Sequence, residues 1–238
     1  MLINADVKSL EIFVAEDRYK DDVLHTELSN KLDLHALNQE RFKLPTRTIA
    51  KIFIFKLLYG ASAYGYSMDS DFIDVGFTER QWQRVIDEFY EKYKGIARGH
   101  YNDIKFVKEN GYLETPAGRY FNFAPKQTAY GWKWPETKIK NYPIQSFGAD
   151  LVKLARVAFF KRFKESGLEG EFIQTIHDSL VLDTPEKNVY NISVMLKDAV
   201  ENTHIYCKEE FDYALRLPLM CEIKVGPNKA DMREINFN

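Results

Sequence analysis

The stretch 45–60, PTRTIAKIFIFKLLYG, constrains this chain more than any other, because it sets Arg47, Lys51, Phe55 and Tyr59 at intervals of four residues. Four-residue steps keep side chains on one face of an α-helix: each step advances about 40°, so the four positions cover one broad face along roughly 18 Å. The spacing predicts a helix whose face reads cation, cation, aromatic, aromatic. Cations on successive turns can grip a polyphosphate, and rings beyond them can stack on bases or pack beside a sugar. Ile49, Ile52 and Phe53 fall on the opposite side and are expected to anchor the helix to a core. An amphipathic helix with snorkelling cations has the same pattern, so this segment alone leaves both readings open.

The surrounding composition is that of a chain able to fold around a real core. With 238 residues, 45% hydrophobic and 29% charged, it can form one large domain or two interleaved subdomains. No apolar run approaches a membrane span, and no basic-then-apolar N-terminal signal is present. The expectation is therefore a cytoplasmic protein, in the host cytoplasm if phage-encoded, with no membrane partner. Cys207 and Cys221 make neither a disulfide framework nor a zinc site and are expected as buried thiols. The formal net charge of −2 is segregated: Arg41, Lys43, Arg47, Lys51 and Lys56 form one basic stretch, and Lys153, Arg156, Lys161, Arg162 and Lys164 another. A cationic groove is compatible with such a neutral total, as is a pair of solvated helix faces.

In chain order, residues 1–6 read as a strand ending on Asp6, and 9–17 as a helix with Glu11 in its first turn, where an acid complements the macrodipole. Residues 21–42 read as helical and polar, with Asp33-Leu-His35 inside. A short helix and turn are expected over 61–76, and a helix over 78–94 with Thr78 and Gln81 as a capping box. A further helix over 96–110 stops at Gly111, and two short strands flank Pro116-Ala117-Gly118. The segment 124–135 reads as loop, and Pro143 as the opening of a helix to 166. Two β-branched, apolar runs then flank His177-Asp178-Ser179, as in a tight hairpin with an aspartate at its tip. A charged helix over 186–213 and a strand over 217–225 close the chain. Asp6 and Asp178, both borne on strand ends, are placed to share a metal pair, although each alone also reads as a turn or capping residue.

At this point the residues resemble a family. Asp6-Val-Lys-Ser-Leu-Glu11 resembles the first motif of family A DNA polymerases, the bacterial polymerase I type. Arg47-x3-Lys51-x3-Phe55-x3-Tyr59-Gly60 is similar to the second, and His177-Asp178 to the third. Between them, Glu114-Thr-Pro-Ala-Gly118-Arg119 resembles the primer-side hairpin, and Asn141-x-Pro-x-Gln145 with Ala149-Asp150 the segment before the third motif. Leu217-Pro-Leu-x-x-Glu222-x-x-x-Gly226-x-Asn228 resembles the last strand. The motifs occur in the family's order and span essentially the whole chain.

The resemblance implies an α+β fold: a palm, made of an antiparallel sheet with flanking helices, plus a mostly helical fingers subdomain. It divides the chain into 1–40 (palm motif and start of fingers), 41–110 (fingers, with the nucleotide-binding helix at 46–59) and 111–238 (palm). It implies template-directed DNA synthesis from dNTPs on a primer 3′-hydroxyl with two Mg2+ ions, held by Asp6, Asp178 and the carbonyl of Val7. Arg47 and Lys51 would hold the triphosphate, with Lys51 also catalytic toward the leaving group. Phe55 would pack on the nucleotide, Tyr59 would sit near the templating position, and His35 would contact the triphosphate. Arg119, Asn141, Gln145 and His177 would follow the primer-template DNA.

Ser179 departs from the family's usual glutamate and is typical of the related single-subunit RNA polymerases. Glu11, which would crowd a ribose 2′-hydroxyl, and Phe55 favour the DNA enzyme. The resemblance finds no thumb or exonuclease, so the expectation is the catalytic part of a split phage polymerase, whose second chain carries the thumb and the rest of the palm, with or without an exonuclease. A non-catalytic nucleic-acid-binding subunit is the reading from another class.

Overall fold

The computed structural model describes residues 1–129 and 131–237. The chain opens with β1 (Leu2–Val7), followed by α1 (Leu10–Tyr19), α2 (Asp22–Ser29), α3 (Leu34–Phe42), α4 (Arg47–Leu58) and α5 (Ala63–Met68). After a 3-10 turn come α6 (Glu79–Lys92), α7 (Lys94–Asn110), the hairpin β2 (Tyr112–Glu114) and β3 (Tyr120–Asn122), and a second hairpin, β4 (Lys126–Thr128) and β5 (Gly131–Lys133). Then follow α8 (Glu136–Ser166), β6 (Glu171–Ile176), β7 (Ser179–Asp183), α9 (Val189–Glu201), α10 (Thr203–Phe211), β8 (Cys221–Gly226) and β9 (Arg233–Glu234). The backbone clusters into two compact units, Met1–Leu10 with Ser146–Asn238, and Glu11–Gln145.

The first unit is built on an antiparallel sheet of order β6-β7-β1-β8-β9. Strand β1 alternates cleanly: Ile3, Ala5 and Val7 are buried while Leu2, Asn4 and Asp6 are half-buried. That period of two sends the apolar residues to one face and Asp6 to the other. The buried face meets α9, whose Ile192, Leu196, Ala199 and Val200 are inaccessible. Cys207 and Cys221 are both free thiols, Cys207 buried and Cys221 half-buried. Burial pushes the Cys221 thiol up to about 12, with Glu201 nearby adding to the shift, so it stays protonated.

The second unit is helical around an aromatic core. Phe53 of α4 stacks on Trp82 of α6 with centroids 5.9 Å apart and meets Phe89 edge-on at 6.1 Å, while Tyr66 of α5 stacks on Trp82 at 5.0 Å. The expected capping box opens α6: the Gln81 N–H donates to Thr78 Oγ1, and the Thr78 N–H donates to Gln81 Oε1 at 2.9 Å. The hairpin β2–β3 packs through Leu113 and Phe123 against Val107 of α7 and Ile139 of α8.

Five expectations are corrected. The helical stretch over 21–42 is interrupted, because Lys31 turns left-handed (φ 53°) and Asp33 then caps α3, its Oδ1 accepting from the His35 and Ala36 N–H groups. The loop over 124–135 contains the β4–β5 hairpin, closed by Gly131 at φ 103°; Tyr130 lies outside the described residues. Helix α8 starts at Glu136 and carries Pro143 in its interior. The missing proline N–H is tolerated there because Ile139, Ile144 and Phe147 bury fully around it. The charged helix over 186–213 breaks at Asn202, which caps α9 with its N–H on the Asp198 carbonyl, and α10 then buries Thr203 and Cys207. Finally, the core face of α4 is Ala50, Phe53, Ile54, Leu57 and Leu58, with Ile49 and Ile52 only half-buried, since a stripe at i, i+3, i+4, i+7 fits the core better than a run on one side.

Candidate active site

In the sheet unit, β1 pairs with β7 so that Asp6 lies opposite Ser179, the residue after Asp178. The Val7 N–H donates to the Asp178 carbonyl at 3.1 Å, binding the β6–β7 turn directly to β1. This turn has only two residues, His177 and Asp178, between the paired Ile176 and Ser179. His177 adopts φ 52°, the left-handed region that histidine enters more readily than most side chains, and its ring is exposed. Two half-buried carboxylates, Asp6 and Asp178, thus stand at adjoining strand ends beside the Val7 backbone. Lys224 and Lys8 both pair with Glu222, which is opposite Asp6 on β8. The Lys224 ammonium is raised above its ordinary value, chiefly by its hydrogen bond to Glu222, and Asp6 adds to the shift.

In the helical unit, Thr46 caps α4 by accepting from the Ile49 N–H at 3.1 Å, and Tyr59 is the C-cap. Along one face, Arg47 and Lys51 are exposed while Phe55 and Tyr59 are half-buried. Lys51 Nζ lies 5.9 Å from the Phe55 ring centroid, and the buried His35 ring lies 6.1 Å from the same ring. Tyr59 donates its hydroxyl to Glu11 Oε1 at 3.0 Å. Glu11 and Tyr59 are thus joined at one end of the α4 face, while Lys51 and His35 approach the Phe55 ring further along it. Burial, with Arg47 and Lys51 nearby, pushes His35 down to about 4, so the imidazole is neutral at pH 7, and its Nδ1 has no partner among the described residues.

Sequence reasoning missed Asp33. Its Oδ2 accepts from Arg47 Nε at 2.7 Å while its other oxygen caps α3, so one carboxylate ties the His35 and Arg47 segments together. The Arg47 hydrogen bond is the main reason its carboxyl sits below the usual range. An Asp two residues ahead of a histidine at a helix start was the available signal.

Asn141 and Gln145 occupy successive turns of α8, Asn141 with a buried Oδ1 that has no partner among the described residues, Gln145 exposed. Arg119 is exposed at the end of the β2–β3 turn, with its N–H on Thr115 Oγ1 at 3.3 Å. The next strand meets α8 through Phe121 and Tyr142, 5.5 Å apart, which brings Arg119 and Asn141 onto adjoining elements. Beyond Tyr59, a cleft of about 580 Å3 opens at residues 60–63, lined also by Tyr90, Trp134, Lys126, Lys133 and Lys140. Burial lowers the Lys140 ammonium from its ordinary value. None of the described helices is long and apolar enough to cross a membrane.

The model of DNA polymerase family A matches residues 1–231. DNA polymerase I of Caldicellulosiruptor bescii is 26% identical over 238 residues, covering 96% of this chain and 26% of that protein. DNA polymerase I of Pseudomonas aeruginosa is 28% identical over 237 residues, covering 95% and 24%. The DNA polymerase of Bacillus phage SP01 is 26% identical over 204 residues, covering 85% and 22%. The chain thus spans about a quarter of the length of these relatives. The POL domain of Pol1 from M. smegmatis, solved in complex with DNA primer-template and dNTP, shares the fold with a TM-score of 0.79 at 20% identity, covering 93% of this chain and 38% of that one. A match along residues 1–231 of a 238-residue chain makes this protein a member of DNA polymerase family A.

Proposed function

We propose that the chain adds deoxynucleotides from dNTPs to a primer 3′-hydroxyl under the direction of a template. In this reading 1–40 holds the first palm motif and the start of the fingers, 41–110 the fingers, and 111–238 the rest of the palm. The observation that carries it is the bond from the Val7 N–H to the Asp178 carbonyl, which makes neighbours of two carboxylate-bearing segments far apart in the sequence. Two carboxylates and a backbone carbonyl, completed by water and substrate phosphate oxygens, suit Mg2+, which is commonly held by one or two carboxylates rather than a cage. Groups of three or more His, Cys, Asp or Glu side chains suited to a metal are absent among the described residues, and this donor set requires none. Two Mg2+ ions bound there would neutralise charge at the attacking hydroxyl and at the leaving pyrophosphate.

The chain's own residues supply the rest. Arg47 offers a guanidinium fork to the triphosphate, and Lys51 delivers charge or a proton to the leaving phosphate oxygen. His35, neutral at pH 7, contributes an N–H rather than a charge. Phe55 packs on the nucleotide, and Glu11, anchored by Tyr59, crowds a ribose 2′-hydroxyl. Arg119, Asn141, Gln145 and His177 line the primer-template. The lysines and rings of the cleft beyond Tyr59 suit single-stranded template, by charge and by stacking. The His-Asp-Ser sequence at 177–179 favours a single-subunit RNA polymerase instead, and the anchored Glu11 opposes it.

Grip along the primer-template is assigned to further polypeptide carrying a thumb and the remaining palm, as in a split polymerase with a second chain. Primer extension by the purified chain, with and without such a polypeptide and with dNTPs or rNTPs, tests the proposal. Mg2+-dependent extension with dNTPs, lost in Asp178→Ala, is the expected result. No nucleotide addition under any combination would overturn it, and preference for rNTPs would move the chain to the RNA polymerase reading.

A further inference from the structure

We propose that Ser179 is a positioning residue for the paired carboxylates, an inference that rests on reading Asp6 and Asp178 as ligands of the catalytic ions. Ser179 follows Asp178 in the chain and is the direct cross-strand partner of Asp6. Residues opposite one another in an antiparallel ladder project from the same face of the sheet, so Ser179 shares the face of Asp6. Its side chain is buried, and its hydroxyl donates to the Ile176 carbonyl at 3.0 Å. Ile176 is the last residue before the turn and Ser179 the first after it. The bond therefore closes the base of the turn that presents Asp178.

Closure matters because this turn is held in an unfavourable conformation, with His177 at φ 52° and no glycine to relieve it. On the β1 side, Asp178 is tied by the Val7 N–H. With both tethers in place the Asp178 backbone is ordered before any ion arrives, and only its side-chain torsions are lost on binding. The second consequence concerns charge. A hydroxyl at this position adds no charge to a face that already carries Glu222 opposite Asp6, whereas a carboxylate would put a further negative charge beside the pair. Ser179 thus supplies the geometry without supplying a ligand charge.

Mn2+ is the probe, its bound fraction read by electron paramagnetic resonance on the full 238-residue chain. Removing the hydroxyl in Ser179→Ala is expected to weaken Mn2+ binding about two- to tenfold, the worth of one hydrogen bond, and to speed amide exchange at 177–179 while the β8 amides keep their protection. Ser179→Thr, which retains the donor, should stay within about twofold of the parent. Ser179→Cys, close in size with a weak donor, should follow alanine. Asp178→Ala is the control and should lose the ion. Parental Mn2+ affinity in Ser179→Ala or Ser179→Cys, with Asp178→Ala defective, would overturn the role of Ser179 alone. Parental affinity in Asp178→Ala would overturn the reading of the carboxylates on which the role depends.

Discussion

In the sheet unit, Asp6 and Asp178 are far apart in the sequence and adjoin only because β1 and β7 pair in one register. In the helical unit, Arg47, Lys51 and Phe55 lie on α4 and Tyr59 caps it, and helix geometry alone sets the four on one face. The difference teaches where each half is vulnerable. A one-residue slip of β7 would turn Ser179 and its neighbours to the other face of the sheet. No slip threatens the α4 face, but its electrostatic state is borrowed from elsewhere: Asp33 holds Arg47, and burial keeps His35 neutral.

The comparison breaks most sharply at the carboxylates. Asp6→Ala or Asp178→Ala should lower primer extension by roughly a thousandfold or more, because charge that develops in the transition state loses its neutralising partner. Both residues are only half-buried, so the thermal midpoint should move little. Lys51→Ala, on the helical side, should leave more residual activity in the same assay. Equal losses would mean that the two halves do not divide the work in this way.

The helical half should break instead through its core. Phe53 is fully buried among Phe42, Tyr66, Trp82 and Phe89, and Phe53→Ala should cost about 3–5 kcal/mol in urea unfolding.

Acid should find the same half. Burial depresses His35 to about 4 and His100 to about 3, with nearby cations adding to both shifts. In the unfolded chain a histidine titrates near 6.5, so as pH falls below that value the unfolded state binds protons first. Stability should therefore be level above about pH 6.5 and fall below it by roughly 1.4 kcal/mol per pH unit for each histidine, until the folded values are reached. Urea midpoints between pH 7 and 4 should show this slope, shallower in His100→Asn. An identical slope in that variant would place the titration elsewhere.

Sugar choice is a smaller effect. Glu11→Ala should raise ribonucleotide incorporation relative to deoxyribonucleotide by about tenfold, the worth of roughly 1.4 kcal/mol of discrimination. Tyr59→Phe, which removes the bond to Glu11, should give a partial shift in the same direction. An unchanged ratio in Glu11→Ala competition assays would remove it from this role. The smallest expected change is Thr78→Ala, which deletes the α6 cap for about 1 kcal/mol of stability and no loss of extension per folded molecule.

Much of this was legible in the residues, and the failures share a cause. The capping box at Thr78 and Gln81, the stop at Gly111, the hairpins around residues 116–118 and 177–178, and the α4 face were all readable from spacing and turn chemistry. Boundaries within polar stretches were not: residues 21–42 and 186–213 each became two helices, because one left-handed residue or one cap redirects the chain without changing its polarity. Pro143 inside α8 and the β4–β5 hairpin escaped for the opposite reason, since burial and cross-strand pairing overruled local preference.

By itself, then, the sequence determined what lies within a few residues along the chain: the four-residue ladder of α4, the caps, the two-residue turn with an aspartate in it, and the ordered motifs that mark family A. Those features depend on φ, ψ and side-chain spacing over one or two turns, which neighbours in sequence dictate. Only the tertiary structure decided that Ser179 faces Asp6, that Asp33 holds Arg47, that Tyr59 reaches Glu11 and that His35 is neutral. Register, ion pairing and desolvation arise when distant segments pack together, and no local pattern encodes which partner a buried group will meet.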